Sequence, residues 1–210
     1  MAGYTYETLR QAVQDYTDNT ESVFVNNIDS FIETTEERIL KSVPLEVFRK
    51  NATATMSAGA RFFPKPDDWL YTFSMSISVD NEQKPLLNKD ANFLQEFWPD
   101  YSVTAEPRYY TDFDVGNFMV APTPDKQYNA ELHYFYRPVS LVDDLSGRTW
   151  LSQNAPSVML YGSLVEAYIF MKGEPDMIQV YDQRFAKALQ ALSGYAQGAE
   201  GLDFYRRQKD

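Results

Sequence analysis

Three regimes of hydrophobic patterning follow one another along the chain. From residue 4 to 17, Tyr6, Leu9, Val13 and Tyr16 recur at spacings of three and four, one face of a helix. Asp18-Asn19-Thr20 then supplies turn and capping residues. Residues 21 to 42 resume the helical pattern. Phe24, Ile28, Phe31, Ile32 and Ile39 form the stripe, and Glu33, Glu36, Glu37 and Arg38 fall on the opposite side. Pro44 closes the segment, because proline cannot continue a helix.

The pattern then changes to a period of two. In "LYTFSMSISV", Tyr71, Phe73, Met75, Ile77 and Val79 alternate with Thr72, Ser74, Ser76 and Ser78, which predicts a half-buried strand with its hydroxyls outward. Asp80-Asn81-Glu82 is a turn. The stretch from Ala91 to Trp98 fits either a helical turn or a loop anchored by Phe93, Phe97 and Trp98. Tyr109–Thr111 and Gly116–Val120 read as short strands. Pro122-Thr123-Pro124-Asp125 reads as a turn, and Tyr128 to Tyr136 as the last strand. The final two runs together predict a β-hairpin whose prolines mark its turn and its exit. Its second arm would present Tyr128, Ala130, Leu132, Tyr134 and Tyr136 on one face and Asn129, Glu131, His133 and Phe135 on the other.

The last third is helical again. Pro156 stands at a first helical position, and Val158, Tyr161, Leu164, Val165, Tyr168 and Ile169 cover so wide an arc that this helix should be central. A further helix begins at Pro175 with Ile178, Tyr181, Phe185, Leu189 and Leu192 as its stripe; Gly194, Gly198 and Gly201 weaken its end. The expectation is an α+β fold. Residues 1–48 and 141–200 form a helical bundle, 49–140 an inserted antiparallel β-sheet or sandwich, and 201–210 a tail.

Composition narrows the chemistry. The chain of 210 residues has no cysteine, which excludes disulfides, thiolate catalysis and cysteine zinc sites. With a single histidine, a zinc site would need three carboxylates. The start "MAGYTYETLRQ" has no basic and apolar leader pattern, and no apolar run is long enough to cross a bilayer. A net charge of −11 opposes ordinary binding to nucleic-acid phosphates, yet suits a wall past which DNA must slide.

His133 lacks a catalytic partner in its own strand and reads as a surface or edge histidine. Asp67-Asp68, Asp112/Asp114 and Asp143-Asp144 are carboxylate pairs of the kind a glycosidase uses. Thirty acidic residues make such pairs common by chance. Asp112 to Gly116 has only the beginning of a calcium-loop pattern. No phosphate-binding loop or nucleophile elbow occurs. No catalytic residue, cofactor or metal is therefore expected. Fifteen tyrosines fit either a core plus sheet or a large protein interface. In the tail, Leu202, Phe204, Tyr205, Arg206 and Arg207 combine apolar and cationic anchors suited to a partner's groove.

Three stretches in sequence order carry a family resemblance: "FPKPDDWLYTFSMSI", "FMVAPTPDKQYNAELHYFYRPVSL" and "WLSQNAPSVMLYGSLVEAYIFMKGEPDMIQVYDQRFAKALQAL". Together they resemble the head-to-tail adaptor (connector) proteins of tailed bacteriophages, particularly those of short-tailed phages. The resemblance implies a structural virion protein of the neck, assembled in the host cytoplasm. It implies a homo-oligomeric ring of about twelve subunits beneath the portal. Such a ring continues the DNA channel, lets genomic DNA pass without sequence-specific contact, and offers tail or nozzle proteins a platform. The tail segment would dock on the portal protein, and no membrane is involved. Two other readings stay open: another tail or baseplate completion protein, and a carboxylate-based glycan hydrolase.

Overall fold

The computed structural model describes residues 3–200, and for 196–200 the backbone alone. In chain order the elements are α1 (Tyr6–Thr17), α2 (Ser22–Val25), α3 (Ile28–Ser42), a 3-10 turn (Glu46–Phe48), β1 (Arg49–Met56), β2 (Phe62–Pro64), β3 (Trp69–Val79), β4 (Glu82–Asn88), α4 (Ala91–Phe97), β5 (Thr104–Ala105), β6 (Tyr109–Asp112), β7 (Asn117–Ala121), β8 (Thr123–Pro124), β9 (Tyr128–Tyr136), α5 (Trp150–Asn154), α6 (Pro156–Phe170) and α7 (Pro175–Glu200). The fold is α+β. It divides into a helical unit, made of the chain up to Glu46 and from Pro138 onward, and a β unit, Val47–Arg137.

In the helical unit, α1 opens on a capping box. The Thr5 hydroxyl accepts from the Thr8 N–H, and the Thr8 hydroxyl accepts from the Thr5 N–H. Asp18 ends α1 in the left-handed conformation. The single helix expected over 21–42 is broken into α2 and α3 at Asn26-Asn27. There Asn27 Nδ2 donates to the Val23 carbonyl at 2.7 Å, so a side chain competes with the helical backbone ladder.

α6 starts with Pro156 at its first turn and packs against α1, α3, α5 and α7. Val158, Met159, Leu160, Leu164, Val165 and Ala167 are all buried, which is the all-round burial of a central helix. Gly162 sits where α3 and α7 press closest. A Cβ there would lie 2.3 Å from Thr35 Cγ2 and 2.9 Å from the Phe185 ring. Glu36 corrects another expectation. It is buried rather than solvent-facing, because its carboxylate accepts from the Ser140 hydroxyl at 2.6 Å and the Leu141 N–H at 3.0 Å. Burial raises its pKa, and those two hydrogen bonds only partly offset the rise.

The β unit is a seven-stranded sheet in the order β1-β9-β3-β4-β6-β7-β2. Its neighbours are antiparallel except for the parallel pair β4–β6, so the sheet is mixed. A second, two-residue pairing joins β5 and β8 in parallel. The sheet wraps around one core. Met75, Ile77, Leu132 and Tyr134 from one half share a buried cluster with Tyr110, Phe118 and Val120 from the other. Phe118 is the hub, edge-on to Trp69 at 5.8 Å and to Tyr110 at 6.0 Å. α4, capped by Asp90, covers the opposite face of β7, where Leu94 meets Met119 and Ala121. Residues 91–97 are thus a helix.

Two expectations fail here. β7 and β9 are not a hairpin: β7 pairs with β6 and β2, whereas β9 lies between β1 and β3. The proline segment between them carries the chain from one half of the sheet to the other. Nor do Tyr71 and Phe73 share a face with Met75. The register against β9 slips between Trp69 and Tyr71 and again between Thr72 and Ser74. Each bulge adds one residue, and a one-residue slip turns the following side chains to the opposite face. Met75, Ile77 and Val79 therefore point into the core, while Tyr71 and Phe73 are exposed.

Candidate functional surfaces

His133 acquires partners that its own strand does not reveal. Its Nδ1 lies 2.9 Å from the Ser74 hydroxyl on β3, and its Nε2 lies 3.4 Å from Glu131 Oε1. Glu131 also accepts from Asn51 on β1 and from Gln83 on β4, the latter at 2.8 Å; Ser76 donates to Gln83 at 2.8 Å. A polar ladder thus crosses four strands. The small Ser76 between β9 and β4 leaves room for Gln83 to reach over it.

Serine, histidine and glutamate in a row invite comparison with a catalytic triad. A reacting carbonyl needs free donors beside the nucleophile and a concavity to hold it. Ser74 lies on an open sheet face, on a strand flanked by β9 and β4. The ladder ties strands together through cross-strand side-chain pairs.

The carboxylate pairs separate in the same way. Asp68 accepts from Lys50 and from the Tyr134 hydroxyl. Burial pushes the Asp68 carboxyl up, but these bonds outweigh it and hold it low, while burial and then Asp68 push the Tyr134 phenol up to about 12. Asp112 pairs with Lys65, and Asp114 accepts from the Gly116 and Asn117 N–H groups. Asp144 caps the backbone at Ser146. No group of three or more potential metal ligands occurs among the described residues. Glu36, whose pKa is raised, is enclosed by Ser140 and Leu141. Asp68 thus holds a tyrosine, and Asp114 and Asp144 hold turns.

The surfaces with unspent binding capacity are apolar. In the helical unit a groove of about 720 Å³ lies between α5, the start of α6 and the second half of α7. Val158 and Leu192 form its buried floor. Trp150, Tyr161 and Tyr195 line its walls, and Arg184 and Lys187 stand on its α7 side. Arg184 lies over the Tyr161 ring at 5.7 Å from its centroid. Neither cation forms an ion pair among the described residues.

In the β unit the β6–β7 turn, Phe113-Asp114-Val115-Gly116, projects apolar side chains. Val115 is 98% exposed, and Phe113, also exposed, packs on Phe62 at 5.1 Å. Phe62, Phe113 and Val115 together make an exposed apolar patch set among acids. Only the turn had a sequence signal, an apolar pair interleaved with aspartates. The groove had none, because its walls come from three helices. The tail residues Leu202, Phe204, Tyr205, Arg206 and Arg207 lie outside the described residues.

No described helix is long and apolar enough to cross a membrane. No curated protein matches the chain. Residues 4–207 match the family model described as SU10 adaptor protein.

Proposed function

The chain belongs to the SU10 adaptor protein family of phage adaptors, and from that premise we propose that it forms a homo-oligomeric ring beneath the portal in the virion neck. The ring extends the DNA channel and presents a platform for tail proteins. Its subunits assemble in the host cytoplasm, and the role is structural rather than catalytic. The observation that carries this reading is the family match over nearly the whole chain.

Physical features support it. A closed ring of identical subunits is heterologous, so each subunit needs two different complementary patches. The groove and the β6–β7 turn are two such patches on one chain. The net charge of −11 repels phosphates, so DNA passes without being held. Tail residues Leu202, Phe204, Tyr205, Arg206 and Arg207 supply the portal-docking anchor.

Native mass spectrometry of the chain mixed with its portal protein tests the reading. A portal-bound multimer of this chain is expected, and free components alone would overturn it. Deleting residues 202–210 should abolish portal binding while the fold persists; undiminished binding would remove the tail from the account.

A further inference from the structure

We propose that the β6–β7 turn of one copy inserts into the α5/α6/α7 groove of the next copy. The inference rests on the ring reading and names a contact that closes it.

Both sides are built for each other. The turn offers Val115, almost wholly exposed, and Phe113, flanked by Asp112 and Asp114. The groove offers an apolar floor at Val158 and Leu192, aromatic walls at Trp150 and Tyr161, and on its α7 side Arg184 and Lys187, which form no ion pair among the described residues. Apolar side chains enter an apolar cleft, and the exposed Asp114 carboxylate arrives beside guanidinium and ammonium groups, while Asp112 keeps its pair with Lys65. The groove's volume falls in the range of sites that enclose a small ligand, enough for a turn's side chains.

Complementary charge fixes the register and suppresses wrong pairings. The chain as a whole is strongly acidic, so two copies repel at most orientations. The cationic side of the groove is a place where an acidic segment of a second copy is welcome. The turn is internally bonded as well as exposed. Asp114 Oδ1 accepts from the Gly116 and Asn117 N–H groups at 2.8 and 2.7 Å, which lowers the ordering cost of docking. Turn and groove differ, and a contact between unlike patches repeats from copy to copy, as a ring demands.

A competing occupant exists. Leu145 is fully exposed and follows Asp143 and Asp144. It offers one apolar side chain where the β6–β7 turn offers two.

The chain has no cysteine, so engineered disulfides report contacts cleanly. Full-length V115C and A191C chains, the latter altered on the groove's exposed α7 wall, are mixed at high concentration and mildly oxidised. One carries a mass tag. A mixed V115C–A191C disulfide can form only between copies. It is expected several-fold above either homodimer, and adding Arg184→Glu and Lys187→Glu to the A191C chain should bring it down to homodimer level. Mixed product no greater than the homodimers would overturn the proposal. So would stronger capture of A191C by L145C, which would place the other acidic turn in the groove. Portal-bound multimers without the mixed disulfide would leave the ring standing and remove this contact; the mixed disulfide without multimers would do the reverse.

Discussion

The two units of this protein solve the burial of apolar surface in different ways. The helical unit joins its first three helices to segments that follow Pro138, and α6 is enclosed by α1, α3, α5 and α7. Its specificity comes from close approach at Gly162 and from the buried carboxylate of Glu36, which holds the Ser140 hydroxyl and the Leu141 N–H. The β unit is contiguous in sequence but non-local in its pairing. β1 pairs with β9, and a single wrapped sheet encloses Phe118. Its polar ladder over four strands lies on the sheet face that carries His133 and Glu131. Polar contacts inside a core are costly to lose, whereas those on a sheet face are partly replaced by water.

That contrast can be broken at four points. The largest effect belongs to Phe118→Ala, which removes the ring shared by both halves of the wrapped sheet. A loss of about 3–5 kcal/mol is expected in urea unfolding, with amide exchange rising in β3, β7 and β9. A cost under about 1 kcal/mol would mean that the sheet halves do not share one core.

Gly162→Ala comes next. Its Cβ meets Thr35 and Phe185 well inside contact distance, and overpacking of this kind costs about 1–3 kcal/mol. A neutral result would show that α3 and α7 part easily at α6.

Glu36→Gln alters the pH dependence. Burial raises the folded pKa of Glu36 above the unfolded value. In the window between those two values the native state holds the proton more firmly than the unfolded state does. This carboxyl therefore makes stability fall as pH rises through that window, and the contribution is fully present below the unfolded pKa. Denaturation midpoints across that range should lose this component in the glutamine variant. Identical pH profiles would contradict the assignment.

Glu131→Gln should matter least, by about 1 kcal/mol or less, because the ladder is on a solvent-facing surface. A much larger loss in thermal unfolding would show that the ladder carries more than cross-strand support.

What was legible in the sequence follows the same division. Helical periodicity is local, so most of the stripes of α1, α6 and α7 could be read directly: Leu9, Val13, Val158, Leu164, Tyr181 and Phe185 are buried, whereas Tyr16 and Ile169, at the stripe ends near the helix C-termini, are exposed. The break at Asn26-Asn27 and the burial of Glu36 depended on side-chain bonds that spacing does not reveal. In the β unit the alternation of β9 was legible, but its partners were not. β1, "RKNATATM", has no apolar alternation, and β4 contains Pro85, so neither stood out as a strand. The two bulges in β3 inverted the face of Tyr71 and Phe73, because a period of two has no memory across an inserted residue. Among the candidate sites, His133 was visible and Ser74 was not recognised as its neighbour. The groove is spread from Trp150 to Tyr195; Val158, Tyr161 and Leu192 read separately as parts of apolar stripes, and nothing in the spacing joins them to Arg184 and Lys187.

Cryo-electron microscopy of the intact particle's neck tests the central claim most directly. The account predicts density for a ring of this chain directly beneath the portal, encircling the DNA channel and contacting a tail protein on its far side. Density for the chain at the baseplate or tail tip, with none beneath the portal, would contradict it.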